Sequence, residues 1–267
     1  MKTIILKLGG GILTYKRSSR PQPRTDVIIR IAKELMYAYK RKPYFKLILL
    51  YGVGSFGHHL VWKHKLLNRW LTNSSMVHVG EVINSVRELG SLISKICLNT
   101  GLSVIPLQTS SLVQLKNKKF IIKNLSVIET ILKYRGIPLF GGDMVLSQDN
   151  LSYVASADEL AVLLSKYFEN SKVLFATDVD GVYKSFPPQK GEGPLKILNR
   201  SSVQKMIKSR FSATKVKKHD VTGEMIGKLK RVLGLRNRKI VIFNGQEPSL
   251  IARALLSKNA VGTTILL

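Results

Sequence analysis

The sequence predicts an α/β fold, a three-layer αβα sandwich with a mostly parallel central sheet. Short apolar runs typical of buried strands, such as residues 47–50, alternate with longer segments of helical periodicity, such as residues 76–97. No linker, composition break or internal repeat divides the 267 residues. A single domain is therefore expected, with helices covering both faces of one sheet.

The chain is strongly basic. It has 43 Lys and Arg against 16 Asp and Glu, a net charge of +27. This excess indicates an anionic partner, whether nucleic acid, an anionic surface or anionic substrates. The basic residues are spread along the chain, without an aromatic-interleaved basic repeat or a zinc-ligand pattern, which favours a solvated basic surface. A nucleic-acid-binding protein stays open as an alternative of a different class.

The sequence also bears on the compartment. No apolar run reaches the roughly 18 residues that a membrane span needs. The N-terminus begins with an apolar strand and lacks the pattern of a signal peptide. Cys97 is the only cysteine, so an internal disulfide cannot form. We therefore expect a cytoplasmic protein that does not insert into a membrane.

The first predicted strand, residues 3–7, leads into a glycine loop. The loop residues are Leu8, Gly9, Gly10 and Gly11. Glycines after a strand allow close approach of the backbone to an anion. Lys7 and Lys16 bracket the loop, and lysine suits a transferring phosphoryl group, although both are also compatible with a lysine-rich surface. A proline-containing loop, residues 17–24, and a helix to about residue 40 follow.

A second glycine stretch follows the apolar strand at residues 47–50. It contains Gly52, Val53, Gly54, Gly57 and His58. A strand, a glycine turn and a helix N-terminus together predict an anion site, and a histidine there can donate a hydrogen bond to phosphate. The glycine spacing also fits a dinucleotide fingerprint, but no acid lies between residues 34 and 81 to hold a ribose. A turn that serves only packing is the plain alternative.

The middle of the chain predicts alternating elements. Helices are expected at 58–70 and 76–97, a strand at 102–107, a hairpin at 112–122 and a helix at 126–135. A buried strand at 137–140 ends in Gly141, Gly142 and Asp143, where a carboxylate can orient lysines. A second hairpin at 145–154 precedes a helix that starts at Ser156 and runs to about residue 168.

The last third continues the alternation. A strand at 172–176 enters the segment from Thr177 to Tyr183, and a proline- and glycine-rich surface loop follows. A short helix is expected at 201–209 and another from Asp220 to about residue 235. A strand at 239–243, a helix at 248–256 and a strand at 263–267 complete the sequence.

Four of these segments together resemble the amino acid kinase family over nearly the whole chain, and within it the isopentenyl phosphate branch. They are Lys7-Leu8-Gly9-Gly10 with Lys16, Gly141-Gly142-Asp143, Thr177 to Tyr183, and Asp220-Val221-Thr222-Gly223 with Lys228. The first and third alone fit several members of the family. Ser55-Phe56-Gly57-His58 is the narrower feature, since a histidine there is typical of the isopentenyl phosphate branch and its fosfomycin-kinase relatives.

The resemblance implies roles for particular residues. Lys16 and Lys228 would neutralise the transferring phosphoryl group, and Asp143 would organise the lysines. The implied acceptor contacts are Gly52, Val53, Gly54, His58, Ala157 and Asp158. The implied ATP contacts are Lys7, Leu8, Gly9, Gly10, Gly11, Gly54, Thr177, Asp178, Asp180, Gly181, Tyr183, Gly223, Glu224 and Lys228.

The resemblance further implies an activity and its partners. The expected reaction is ATP-dependent phosphorylation of isopentenyl phosphate to the diphosphate by a homodimeric enzyme. Residues 1–170 would bind this prenyl phosphate acceptor and residues 171–267 would bind ATP. No cage of several carboxylates is apparent, so Mg²⁺ is expected to arrive with ATP. A kinase of the same fold that acts on another small phosphate or phosphonate stays open.

Three residues depart from the family pattern. Tyr51 stands where histidine is usual, Gly11 replaces a common serine, and Glu224 replaces a glycine. Glu224 would place a carboxylate near the ATP phosphates unless its side chain turns outward, and we expect it to oppose nucleotide binding.

An apolar set after His58 predicts a pocket for the tail of the acceptor. Its members are Leu60, Val61, Trp62, Leu66, Val79, Val82, Ile83 and Val86. An amino-acid substrate would need charged partners instead. We expect five-carbon prenyl phosphates to be preferred, and Ile83→Ala or Val86→Ala to shift preference toward longer chains.

Overall fold

The computed structural model describes residues 2–15, 18, 20–41, 45–67, 69–147, 149–185, 188–211, 221–257 and 261–267. For residues 69, 210, 211 and 221–224 it describes the backbone only. Lys16 and Asp220, two residues of the sequence motifs, lie outside the described residues. Among the described helices, none is long and apolar enough to span a bilayer.

The described chain alternates strands with helices. The strands are β1 (Lys2–Leu8), β2 (Phe45–Tyr51), β3 (Arg69–Trp70), β4 (Val104–Pro106), β5 (Val113–Lys116), β6 (Lys119–Ile122), β7 (Ile137–Gly141), β8 (Asp143–Leu146), β9 (Leu151–Ala155), β10 (Lys172–Thr177), β11 (Ile197–Asn199), β12 (Lys239–Asn244) and β13 (Thr263–Leu266). The helices are α1 (Gly10–Leu13), α2 (Thr25–Arg41), α3 (His58–Lys63), α4 (Asn73–Asn99), α5 (Thr109–Leu112), α6 (Leu125–Lys133), α7 (Ala157–Tyr167), α8 (Arg200–Phe211), α9 (Val221–Val232) and α10 (Leu250–Leu256).

One eight-stranded sheet runs through both halves of the chain. Its strand order is β11-β13-β12-β10-β1-β2-β7-β4. The pairs are parallel except β12 with β13, which is antiparallel. In the central pairs, Leu6 of β1 is opposite Leu49 of β2 and Leu174 of β10. The carboxyl ends of β1, β2, β7 and β10 therefore lie side by side at one edge.

The core lies in two layers because strand side chains alternate between the two faces of the sheet. Ile4, Leu6 and Leu8 pack in one buried cluster with α2, α4 and α10, whereas Ile5 packs in the other with α6, α7 and α9. β1 is buried on both faces and therefore reads as a continuous apolar run. The predicted three-layer αβα sandwich with a mostly parallel sheet is confirmed.

The two predicted hairpins are also confirmed. β5 pairs antiparallel with β6, and β8 pairs antiparallel with β9. Lysine and asparagine occupy left-handed backbone positions in the first turn, where Asn117 has φ 50° and Lys118 has φ 59°. The hairpin between β8 and β9 starts at Asp143 and ends just before Ala157, the first residue of α7. It therefore connects two of the predicted site residues.

The helix predicted at residues 58–70 is wrong beyond residue 63. α3 ends at Lys63, and Lys65 adopts a left-handed conformation with φ 52°. β3 then pairs with β9, with Trp70 opposite Leu151. Helical spacing of apolar residues could not reveal this end, because the pairing partner lies about eighty residues further along the chain.

Candidate active site

Four loops meet where the central parallel strands end. They follow β1, β2, β7 and β10, which are neighbours in the sheet. In open α/β sheets, ligands bind at the carboxyl ends of the strands. Backbone bonds fix two of the loops, since Gly9 N–H donates to Ala176 O at 2.9 Å and Gly52 N–H donates to Leu8 O at 2.8 Å.

The two glycine loops are in direct contact. A Cβ on Gly10 would lie 2.5 Å from the backbone nitrogen of Gly54, and one on Gly52 would lie 2.6 Å from that of Gly10. Gly54 also has φ +49°, and its Cβ would lie 2.0 Å from Thr14 Oγ1. Glycine is therefore required sterically at all three positions. The predicted acceptor loop and ATP loop pack against each other, as transfer between two bound anions requires.

Thr14 and Ser55 connect the two loops. Thr14 Oγ1 donates to Gly10 O at 2.9 Å and accepts from Ser55 N–H at 3.0 Å. Ser55 Oγ in turn accepts from Gln22 N–H at 3.1 Å. Sequence reasoning did not assign a role to Thr14, because its partner lies 41 residues away.

A carboxylate binds two lysines beside these loops. Asp158 Oδ1 lies 2.9 Å from Lys7 Nζ, and Lys228 Nζ donates to Asp158 Oδ2. The three residues come from β1, α7 and α9, which the ion pairs join. Asp158 lies in the first turn of α7, where a helix favours negative charge. The Ser156 hydroxyl caps that helix by accepting a hydrogen bond from Glu159 N–H at 3.2 Å. In turn, the Glu159 carboxylate accepts a hydrogen bond from Ser156 N–H, which completes a capping box.

The three charges are strongly coupled because they are buried together. Burial, reinforced by the charge of Lys7, lowers the pKa of Lys228 to about 8, although Asp158 opposes this shift. Burial alone would raise the pKa of Asp158, but the two lysines hold it well below its usual range. The Lys228 ammonium also lies 4.5 Å from the centroid of the Phe175 ring. The cluster carries two cations and one anion, a net positive charge aimed at the cleft.

These features surround a cleft of about 330 Å³. Fourteen of the predicted site residues line it: Lys7, Gly9, Gly10, Gly11, Gly52, Val53, Gly54, His58, Asp143, Ala157, Asp158, Thr177, Asp178 and Lys228. His58 is exposed at the start of α3. The structure therefore brings together residues that are more than 200 positions apart in the sequence.

Other predicted residues do not line this cleft. The side chain of Leu8 is buried in the core. Asp180 instead connects the segment from Thr177 to Tyr183 with β12. Its carboxylate accepts hydrogen bonds from Tyr183 Oη at 2.9 Å and from Asn244 Nδ2 at 2.9 Å. Gly181 packs against Thr263, since its Cβ would lie 2.5 Å from Thr263 Oγ1. Gly223 and Glu224 belong to the first turn of α9, and Lys16 lies outside the described residues.

The expectation that Asp143 organises the lysines is wrong for the two described lysines. Both of them pair with Asp158. Asp143 accepts from Met144 N–H at 2.8 Å and from Ser110 N–H at 3.2 Å, and burial raises its pKa. The reason is positional: Asp143 begins β8 beside α5, whereas the first turn of α7 places Asp158 between β1 and α9. The Ser156-x-x-Glu159 capping box was the sequence signal for this helix start.

The apolar wall of the cleft corrects the predicted tail pocket. Val61, Trp62, Val82 and Val86 line it, as expected. Leu66 and Val79 are instead buried in the core, while Leu60 and Ile83 pack against it from the side. Sequence reasoning missed Leu67, Met144, Val154, Met225 and Arg231, which also line the cleft. Leu67 lies in the loop after α3, Met144 and Val154 lie in the β8–β9 hairpin, and Met225 and Arg231 lie on α9. Their approach to the cleft depends on how these elements pack together, so no local pattern indicates them.

Tyr51 also has a structural explanation. Its ring is buried between α4 and β7, where a Cβ on Gly90 would lie 2.2 Å from its hydroxyl and one on Gly141 would lie 2.3 Å from the ring. Burial raises the pKa of its hydroxyl, and the nearby Asp143 adds to the effect. Tyr51 also lines a second cavity, of about 440 Å³. Val86, Gly142 and Asp143 line both this cavity and the cleft.

Comparisons with known proteins agree with this geometry. The chain is 30% identical over 270 residues to the isopentenyl phosphate kinase of Methanothermobacter thermautotrophicus, covering 98% of each. It is 29% identical to that of Methanocaldococcus jannaschii over 95% of each. A crystal structure of an isopentenyl phosphate kinase superposes with a TM-score of 0.80 at 26% identity, covering 98% of this chain and 100% of the other. Residues 2–244 match the model of the amino acid kinase family, and the chain therefore belongs to that family.

Proposed function

We propose that this protein is an ATP-dependent kinase that converts isopentenyl phosphate to isopentenyl diphosphate in isoprenoid biosynthesis. One observation carries the proposal: two touching glycine loops, a lysine–aspartate–lysine cluster and an apolar wall line a single cleft. The similarity to isopentenyl phosphate kinases over nearly the whole chain supports the same reaction.

The cleft meets the needs of phosphoryl transfer between two anions. This chemistry requires positioning and positive charge and little covalent participation by the protein. In our proposal, residues 9–11 hold the ATP phosphates, and residues 52–54 with His58 hold the acceptor phosphate. Lys7 and Lys228 face the transferring group. Asp158 fixes both ammonium groups in place and so prepares the site for the charge that develops.

The apolar wall supports a prenyl acceptor over a polar one. Val61 and Trp62 of α3, the helix that begins at His58, and Val82 and Val86 of α4 line the same cleft as His58. A five-carbon tail buried there gains roughly 0.8 kcal/mol per methylene. A polar acceptor of the same size would leave hydrogen-bonding groups against apolar side chains, which is unfavourable.

We propose that Mg²⁺ enters with ATP and is held mainly by phosphate oxygens and water. Of the aspartates that line the cleft, Asp158 is already paired with two lysines, and Asp143 accepts backbone N–H groups. Asp178, at the carboxyl end of β10, is the remaining aspartate of this lining that is placed to contact the ion. Bound Mg²⁺ would neutralise charge on the nucleotide phosphates.

We further propose that residues 1–170 bind the acceptor and residues 171–267 bind ATP, in a cytoplasmic homodimer. The placement of residues 52–54, His58 and the apolar side chains of α3 and α4 before residue 170 supports this division, as does the placement of Asp178 and Lys228 after it. Residues 9–11 would be the part of the first half that contacts ATP. The buried free thiol of Cys97 is compatible with a reducing compartment. Light scattering of the purified protein, with and without ATP, tests the dimer.

A coupled ADP-release assay over a panel of acceptors tests the function. We expect isopentenyl phosphate to have the highest kcat/KM, followed by dimethylallyl phosphate, with glycerol phosphate and small phosphonates far lower. A clear preference for a polar phosphate or phosphonate would change the proposed acceptor but would leave the proposed kinase activity intact. Salt-dependent nucleic-acid binding without any ADP release would reject the kinase itself.

A further inference from the structure

Two histidines and a glutamate meet where α3 ends and α4 begins, outside the lining of the active-site cleft. His64 Nε2 lies 2.9 Å from Glu81 Oε2, and His78 Nδ1 lies 3.5 Å from the same oxygen. The three ligand atoms are all within 4.8 Å of one another. The two imidazole rings are stacked, with centroids 3.8 Å apart and planes at 13°.

The facing nitrogens of this cluster share a single carboxylate oxygen. His64 Nε2 and His78 Nδ1 are both shielded from solvent, and apart from their contacts with Glu81 Oε2 neither has a hydrogen-bond partner among the described residues. The His64 side chain is only 10% exposed. Buried polar atoms in folded proteins nearly always have a partner. Two such nitrogens directed at one carboxylate therefore indicate a site for a ligand that binds all three groups.

We propose that His64, His78 and Glu81 bind one divalent transition-metal ion, with Zn²⁺ the best match. Zinc binds imidazole nitrogen and carboxylate oxygen at about 2.0–2.2 Å, so two ligands of a tetrahedral ion are about 3.3 Å apart. The separations of the two imidazole nitrogens from Glu81 Oε2, 2.9 and 3.5 Å, bracket this value, and the two nitrogens lie within 4.8 Å of each other. Water would take the fourth position.

The surroundings favour such an ion over Mg²⁺ or Ca²⁺. Hard cations prefer sites made of oxygen ligands, whereas two of these three ligands are imidazoles. Lys63 lies in the last turn of α3, next to the site, in a chain of net charge +27. This positive charge weakens the binding of Mg²⁺ and Ca²⁺, which are held mainly by electrostatic attraction. It weakens less the binding of an ion that forms directional bonds to imidazole nitrogen.

Metal binding requires one local rearrangement. A bound ion lies in the plane of each ligating ring. The two nearly parallel rings must therefore rotate relative to each other until both ring planes contain the ion. The His78 side chain is 41% exposed and has room to rotate, while His64 is enclosed. His78 and Glu81 are three residues apart on α4, and the turn after α3 brings His64 to them, so the sequence alone does not indicate the complete ligand set.

The ion would link the two helices that line the acceptor side of the cleft. α3 starts at His58 and ends just before His64, while α4 carries His78 and Glu81 near its start and Val82 and Val86 further on. Occupancy would therefore fix α3 against α4. This inference does not depend on the kinase activity, and the test below does not use activity as a readout.

The test is a titration of tag-free, full-length protein with Co²⁺ after treatment with a chelator, in the absence of nucleotide. We expect one Co²⁺ per chain, with the intense visible absorption of tetrahedral coordination, displaced by Zn²⁺. Saturating Zn²⁺ should also raise the melting temperature of the wild type. His78→Ala and Glu81→Gln should each weaken binding at least tenfold and abolish the thermal shift.

His59→Ala is the matched control, since His59 is an exposed histidine of α3 that lies outside the cluster. It should bind Co²⁺ like the wild type. Circular dichroism of the two test variants, which change partly exposed side chains, checks that they fold. Absence of saturable binding, or equal binding by the wild type and both folded variants, would overturn the metal site.

Discussion

In the proposed site, His58 is the side chain that would contact the acceptor phosphate directly. It lines the cleft at the start of α3, next to Gly57 of the second glycine loop. His58→Ala should reduce kcat/KM for isopentenyl phosphate by roughly 2–4 kcal/mol, about 30- to 900-fold, because a charge-assisted hydrogen bond is lost in the transition state. ATP affinity, measured by equilibrium binding, should stay nearly unchanged.

The neighbouring histidine separates this role from a general effect on α3. His59 is exposed and is not part of the cleft lining. His59→Ala should therefore keep the activity of the wild type. Wild-type activity of His58→Ala, or equal losses of activity in both variants, would contradict the proposal that His58 binds the acceptor phosphate.

Lys228 should set the alkaline limit of activity. Its pKa is lowered to about 8, so it loses its charge as the pH rises through this value. The kcat/KM of the free enzyme should then fall above about pH 8. In Lys228→Arg the guanidinium stays charged, and the alkaline limb should move to higher pH even if the maximal rate is lower. An identical limb in both proteins would contradict this assignment.

The same cluster makes stability depend on pH in two windows. Between about 8 and 10.5 the unfolded chain holds the Lys228 proton that the folded chain has released, so this group makes the free energy of unfolding rise with pH there. Asp158 has a depressed pKa, so its stabilising contribution is present above its unfolded pKa of about 3.9 and is lost in stronger acid. Denaturant melts of wild type and Asp158→Asn across acid pH measure the second effect.

At the scale of an element, two glycines of α4 should respond to alanine in opposite directions. Gly80 is exposed, and a Cβ there would meet no atom within 4 Å. Gly80→Ala should stabilise the protein by about 0.5–1 kcal/mol, because alanine has the higher helix propensity. A Cβ on Gly90 would lie 2.2 Å from the buried Tyr51 hydroxyl, so Gly90→Ala should destabilise by about 1–3 kcal/mol. Urea melts of both variants check the pair. Stabilisation of both variants would show that the packing of Tyr51 against Gly90 is not tight, and destabilisation of both would contradict the prediction for Gly80.

We expect the helical phase of α4 to decide which side chains select the acceptor tail. Val86 separates the cleft from the second cavity, since it lines both, while Ile83 packs against the core outside the cleft lining. Val86→Ala should open extra space and raise the ratio of kcat/KM for ten-carbon over five-carbon phosphates, by about fourfold for each further methylene buried. Ile83→Ala is the matched control, and it should lower kcat/KM equally for every chain length. The reverse pattern would mean that the tail lies elsewhere.

At the scale of the whole molecule, the net charge of +27 should increase the rate of encounter with anionic substrates. The Debye length falls from about 10 Å at 0.1 M salt to about 3 Å at 1 M, so kcat/KM for ATP and for the acceptor should fall with salt. The turnover number should change less, since the buried lysine–aspartate cluster is poorly screened. A kcat/KM that stays constant with salt would leave the net charge without a role in catalysis.

Much of the fold follows from the sequence alone because its signals are local. β1 and β2 are largely apolar runs, the glycines of both loops mark close backbone approach, and Asn117 and Asn150, with φ of 50° and 59°, mark the two hairpin turns. These features depend on backbone preferences and burial within a few neighbouring residues. Fourteen residues of the cleft lining were indicated instead by the resemblance to the amino acid kinase family.

Only the tertiary structure decided which charges pair and which apolar side chains face the cleft. Asp158, and not Asp143, holds Lys7 and Lys228, because α7 begins between β1 and α9. α3 stops at Lys63 since β3 pairs with β9, and this stop leaves His64 beside α4. Such contacts join positions far apart in sequence, so local pattern cannot encode them; they follow from how the packed sheet places the ends of its helices.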